Sequence, residues 1–260
     1  MMRALWTAST GMKAQSLKLD VIANNLANVD TVGFKKSRAD FQDLLYQSLK
    51  NPGDSTGPSS VHPTGQQVGS GTKLSTITKI FSEGALKETS RELDIAILGD
   101  GFIQITGPNG DTLYTRDGAL QVDADGAIVN GDGYAVQGVG SVPVDAVSLS
   151  FGTTGTVSYI DNTGTSNSIG TLQLAKFINP SGLLSLGSNL YMESDASGSA
   201  TVTNPGDNVG FIQQNFLELS NVSIAEEMVD MISSQRAYEV SSKMIKSASE
   251  MLSIANQIAS

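Results

Sequence analysis

Apolar positions along this chain follow two rhythms. Near the N-terminus, Leu5, Ala8, Met12, Gln15, Leu19, Ile22, Leu26 and Val29 recur at spacings of three and four, with Gln15 the one polar member. That spacing predicts a helix with a coiled-coil seam. At the other end, Ser223 offers a capping hydroxyl and Glu226, three places on, completes a capping box, so a second helix opens there. Along it Met231, Tyr238, Ile245, Leu252 and Ala259 recur every seven residues, beside a second row of Met244, Ala248, Met251, Ala255 and Ile258. One neighbouring helix covers a single face, and the second row would stay wet, so partners from other subunits are expected to cover it. Acidic Glu226, Glu227 and Asp230 near the start, with Lys243 and Lys246 later, agree with the helix dipole.

From about Leu93 to Val202 the rhythm shortens to alternation, in runs such as LDIAI, GFIQI, AIVN and VSLSF. Asn109-Gly110, Asp117-Gly118, Asp125-Gly126, Asn130-Gly131 and Asp132-Gly133 separate them, and these are residue types that accept positive φ in hairpin turns. A β meander or small barrel is expected. GTTGTVSYIDNTGTSNSIGT reads as one more hairpin. Lys50 to Lys73 is rich in Gly, Pro, Ser and Thr without periodicity, so it reads as an extended loop, functional or disordered at that length. The fold class is therefore α+β and multidomain, with terminal helices in a coiled-coil-like layer and a mainly antiparallel β middle of hairpins or a small barrel. The boundaries expected are 1–30 with 223–260 for the helical part, 31–93 with 205–222 for a connecting part that carries the loop 46–73, and 94–204 for an outer β part.

Charge and composition narrow the chemistry. Residues 94–222 hold two basic side chains, Arg116 and Lys176, against thirteen acidic ones. An acidic middle argues against nucleic acid, whose phosphates need clustered Lys or Arg. Cysteine is absent, which removes disulfides and thiolate chemistry. No run of eighteen apolar residues is present, so no membrane-inserted helix is expected, and no cleavable leader is recognised.

Candidate sites fare poorly. GDGFIQ at Gly99 begins like a dinucleotide fingerprint, but the final glycine position is Gln104 and no helix pattern follows. DADGAIVNGDG at Asp123 has the flavour of a calcium loop, but Gly126 comes two places early and the closing Glu is missing. Asp117 and Asp123 could form a carboxylate pair only because acids are plentiful there. His62, the single histidine, sits in the long loop. No catalytic, cofactor or metal residue is assigned, and no cofactor is expected.

The remaining puzzle is ANNLANVDTVGFKK, Ala23 to Lys36, whose Asn24, Asn25 and Asn28 favour a helix end or a surface read by a partner. This stretch resembles the N-terminal signature of the axial proteins of the bacterial flagellum. SNVSIAEEMVDMISSQRAYEVSSKMI resembles their C-terminal signature, with Ser220, Asn221, Val222, Glu226, Glu227, Met228, Gln235, Arg236, Ala237 and Tyr238 in place. YTRDG at Tyr114 and GSNLYMES at Gly187 also look like family motifs. Within that family, Tyr46 to Lys73 looks like the insertion that separates the distal rod from the hook, through Tyr46, Pro52, Pro58, His62, Pro63, Gln67 and Gly71.

The resemblance implies a structural, non-enzymatic subunit that polymerises into a hollow helical tube across the periplasm, transmits torque from motor to hook and lets export substrates pass. It implies a homo-oligomer in which Leu5, Met12, Leu19, Ile22, Asn24, Asn25, Leu26, Asn28, Val29, Met228, Met231, Gln235, Arg236, Tyr238, Ile245, Met251 and Leu252 meet other subunits. Implied partners are the proximal rod proteins, the hook protein, the periplasmic and outer-membrane ring proteins as a bushing, and the flagellar export apparatus, through which such chains leave without a cleaved signal peptide. Two alternatives stay open: a hook-type axial subunit, and a stalked β domain that binds or hydrolyses glycans.

Overall fold

The computed structural model describes residues 2–51, 55–57, 60–61 and 64–259. Pro52, Pro58, His62 and Pro63 lie outside the described residues. The chain divides into two compact units, one made of Met1–Leu26, Ser37–Thr78 and Ile224–Ser260, the other of Ala27–Lys36 and Lys79–Ser223.

The first unit carries the two predicted helices, α1 (Met2–Ala27) and α2 (Ile224–Ala259). They run antiparallel, because Asn25 meets Glu227, Lys18 meets Asp230, and a Cβ on Gly11 would lie 3.7 Å from Ser241 Oγ. Also in this unit, Ser37–Asp43 pairs with Thr72–Lys79. The segment expected as an extended loop is instead a ribbon at its base: Tyr46–Lys50 pairs antiparallel with Gln66–Gly69, in the register Tyr46↔Gly69, Gln47↔Val68 and Ser48↔Gln67. Every residue of both strands is exposed, so no alternation marks them. Backbone hydrogen bonds, which any sequence can make, hold the pair.

The second unit is mainly β, with one short 3-10 turn at Pro180–Gly182. Its largest sheet is antiparallel with strand order Leu184–Gly187, Leu190–Met192, Thr112–Thr115, Phe102–Thr106, Leu174–Lys176, Thr201–Thr203. Alternation sends Ile103, Ile105, Leu113, Leu174 and Leu190 into an aliphatic core on one face, and Phe102, Tyr114, Ala175 and Tyr191 into an aromatic core on the other. A sheet buried on both faces needs cover on both. Three antiparallel strands, Ala146–Phe151, Thr156–Asp161 and Ser166–Thr171, supply Phe151 and Val157 to the aliphatic side. Phe81 and Phe177 pack edge-to-face against Phe102 at 5.4 and 5.7 Å on the aromatic side. All these sheets are open, so of the two expected forms the meander of hairpins is found and the closed barrel is not.

The turn dipeptides divide. Gly110, Gly126 and Gly133 have positive φ as expected, but Gly118 and Gly131 do not. Gly118 is required for a different reason: a Cβ there would sit 1.7 Å from the Ile95 carbonyl oxygen.

Candidate subunit interface

The inner seam of the helix pair is narrow and partly polar. On α1 the buried residues are Ala8, Ala14, Ile22 and Asn25, with Leu5, Met12, Leu19 and Leu26 half-buried beside them. On α2, Glu227, Ser234 and Ala248 are buried, and Met231, Ser241, Ile245 and Leu252 half-buried. Those positions repeat at spacings of four and three, the geometry of a two-helix seam. Val29, just past α1, is half-buried, as is Asn28, whose Oδ1 accepts from the Thr31 hydroxyl at 3.2 Å. Asn24, Met228, Gln235, Arg236, Tyr238 and Met251 are exposed.

A second apolar seam of α2 faces away from the first. Val229, Val240, Met244, Met251, Ile254 and Ile258 all stay more than half exposed, Ile258 at 81%. With 100° per residue these positions centre more than 100° round the helix from Glu227, Ser234 and Ile245, with Met244 at the near edge of the stripe. The register of Asn25 with Glu227 and of Gly11 with Ser241 puts the start of α1 level with roughly residue 250. The last turns of α2 therefore run roughly nine residues, about 13 Å, beyond the start of α1. At that same end, Met2, Arg3, Trp6 and Thr7 of α1 and Gln47, Val68, Gly69 and Ser70 of the ribbon line a cavity of about 280 Å³. Trp6 is 64% exposed. Of the residues expected in the ribbon segment, Tyr46 and Gln67 are exposed and Gly71 is half-buried.

Asn25 was expected at a boundary between subunits, and its side chain turns inward instead. Its Nδ2 donates to the Ser37 carbonyl at 2.9 Å and to Glu227 Oε2 at 3.3 Å, while its Oδ1 accepts from the Ser37 N–H at 2.9 Å. Both faces of the amide are thus occupied within the chain, and the group is 2% exposed. An amide fits because this spot needs donor and acceptor together.

The signature segments of the second unit contain residues that sequence reasoning passed over. Lys35, from VGFKK, donates to Glu218 Oε1 at 2.5 Å and to the Ser82 carbonyl at 2.6 Å. Arg116, from YTRDG, places its Nε 3.1 Å from Glu218 Oε2 and donates through Nη2 to the Gly99 carbonyl at 2.6 Å. The Lys35, Arg116 and Glu218 side chains are each no more than 2% exposed. Burial, and next the Arg116 charge, lower the Lys35 pKa below the usual lysine value, against the pull of Glu218. Gly33 brings the two motifs together: at φ +69° its Cα faces the Arg116 backbone, and a Cβ would lie 2.8 Å from the Arg116 carbonyl carbon. Asn221 does for Lys36 what Asn25 does for Ser37, accepting from the Lys36 N–H at 2.7 Å and donating to the Ile80 carbonyl at 2.8 Å. The available signal was a charged residue inside each quoted motif. Asp117, the other notable carboxyl, accepts from the Ala119 N–H, and burial foremost raises its pKa above the usual aspartate value.

Three family models match successive parts of the chain. "Flagella basal body rod protein" covers residues 5–35, "Flagellar hook protein FlgE/F/G D1 domain" residues 96–159, and "Flagellar basal body rod FlgEFG protein C-terminal" residues 213–258. The flagellar basal-body rod protein FlgG of Borreliella burgdorferi is 45% identical over 262 residues, covering 99% of each chain. The FlgG of Caulobacter vibrioides is 42% identical over 262 residues and 100% of each chain, and that of Bacillus subtilis 42% identical over 258 residues and 97% of each. This chain belongs to the FlgG family of flagellar basal-body rod proteins. Membership makes it a structural rod subunit of the flagellar basal body, and the hook-type alternative has less support because these full-length relatives carry rod-protein names. Among the described residues, no helix is long and apolar enough to cross a membrane.

Proposed function

We propose that this family member polymerises with copies of itself into the hollow distal section of the rod, with α1 and α2 in the inner layer and the β unit outside. The observation that carries this reading is the second apolar seam of α2, which its own chain leaves exposed. Covering such a stripe with another copy removes apolar area from water, worth about 25 cal/mol per Å² before the costs of association. Charge supports the same arrangement: the helical unit holds nine acidic and nine basic residues, the β unit seventeen acidic and seven basic. Neutral helices pack together without mutual repulsion, while the acidic unit suits a solvated outer wall.

The tube carries torque and passes export substrates. It adjoins proximal rod proteins at one end and hook protein at the other, with the ring proteins around it. Its role is mechanical, without catalysis. The paired strands Tyr46–Lys50 and Gln66–Gly69 brace neighbouring subunits, since every residue in them keeps exposed surface that a neighbouring copy can cover. The test replaces Val240 and Met244 with Asp, which leaves the inner seam untouched. The double variant should keep its helical circular dichroism and form no tubes under the electron microscope. Normal tubes from it would overturn the reading.

A further inference from the structure

Among the buried charged groups of the β unit, Asp94 pairs with the more exposed Arg91 at 3.5 Å, and the other three meet one another. Lys35 and Arg116 are two cations, and Glu218 is the one carboxylate between them. Glu218 also accepts from the Gly84 N–H at 3.0 Å, and its backbone carbonyl accepts from the Gly33 N–H at 2.8 Å. One residue of the strand Phe216–Glu218 thus closes contacts to the segments at 33–35, 84 and 116, while that strand pairs with Leu86–Glu88.

We propose that Glu218 is a folding latch: the β unit becomes stable only when its last strand docks and places one carboxylate between the two buried cations. Lys35 and Arg116 come from the first half of the chain, and Glu218 lies five residues before the end of the unit. Until Glu218 arrives, closing the aromatic face of the large sheet would bury Arg116, with Lys35 as a second cation, without the carboxylate that pairs both, which is costly. Arg116 is part of that face, its guanidinium 5.9 Å from the Phe102 ring centre. A chain emerging from its N-terminus therefore keeps this unit open until its C-terminal part is available. Passive ion pairs would lose comparable stability whichever partner is removed. A latch with two cations and one carboxylate is lopsided: removing Lys35 leaves the Arg116–Glu218 pair intact, whereas removing the Glu218 charge strands two cations.

The test uses the full-length chain and amide exchange in Ile95–Leu98, Phe102–Thr106 and Thr112–Thr115. Glu218→Gln should speed exchange there by at least about a hundredfold, and Lys35→Met by less than about tenfold. Adding Lys35→Met to Glu218→Gln should slow exchange again by about tenfold or more, since it removes one stranded cation. If Glu218→Gln alone fails to fold, recovery of a protected sheet in the double variant supports the latch. Equal effects of the two single variants, or a double variant no better than Glu218→Gln, would overturn it. In refolding of the unaltered chain, Phe216–Glu218 should gain protection no later than the six-stranded sheet. A sheet protected first would overturn the order proposed.

Discussion

Replacing Asn25 by Ala removes the clamp that joins α1, α2 and the strand beginning at Ser37. Three hydrogen bonds are lost, two with the Ser37 backbone at 2.9 Å and one to Glu227 at 3.3 Å. At about 1 kcal/mol each the loss is about 3 kcal/mol. Water can reach the half-buried Ser37, which trims the figure, but Glu227 is 7% exposed, and a buried charge left without a donor costs more than a neutral group. Asn25→Asp should be worse, at about 4 kcal/mol or more, because it deletes both N–H donors and sets a second carboxylate against Glu227. Urea unfolding followed by far-UV circular dichroism reads the effect. With a slope of about 2 kcal/mol per molar urea, Asn25→Ala should lower the helical midpoint by about 1.5 M. Amide exchange along residues 14–26 assigns that transition to the helices, and exposed Ser16→Ala serves as control. A midpoint unmoved by Asn25→Ala, or an Asn25→Asp milder than Asn25→Ala, would refute the assignment of donors and acceptors.

Further expectations concern the β unit and the ribbon. Burial pushes the Tyr191 phenol from 10.0 up to about 12; its folded pKa is raised, so its contribution is full below pH 10 and is lost as pH rises toward 12, about 3 kcal/mol in all. Thermal unfolding between pH 8 and 12 should show that fall, and Tyr191→Phe, whose lost hydroxyl has no hydrogen-bond partner among the described residues, should flatten it at little cost near neutrality. Gly33→Ala should cost about 2 kcal/mol or more, from its left-handed φ and the close Arg116 backbone; an unchanged melting temperature would contradict it. Deleting residues 51–65, which spares the paired base of the ribbon, should give tubes that bend, and straight tubes in electron micrographs would place rigidity in the helices.

The helices were legible because a period of three and four survives without knowledge of context, and Leu5 to Val29 carries it for several turns. The face turned inward was less legible. The spacing placed Ala8 and Ile22 in the seam, where both are buried, but passed over Ala14, which is buried too, and the larger Leu5, Met12, Leu19 and Leu26 are only half-buried. Alternation exposed the strands of the large sheet, but the ribbon at Tyr46–Gly69 has no alternation to read. Lys35 and Glu218 lie 183 residues apart, and no local pattern can announce such a pair. A charged residue in a motif is read as solvated by default, and here that default fails.

The buried polar groups and the exposed apolar ones do opposite jobs in this chain. Asn25, Asn221 and Glu218 each have a partner from a distant segment, and each fixes a geometry more than it adds stability, since apolar residues of like volume would stabilise as well. In the tube proposed above, a subunit needs that fixity, because compliance within each subunit would add along the polymer. The second seam of α2 has the reverse character. Val240, Met244 and Ile258 specify no direction, and they gain free energy against any apolar partner. Specificity between copies must therefore come from polar residues in and beside that seam, among which Ser233, Arg236 and Lys243 are exposed on α2. Changing them should alter the register of assembly before it alters the tendency to assemble.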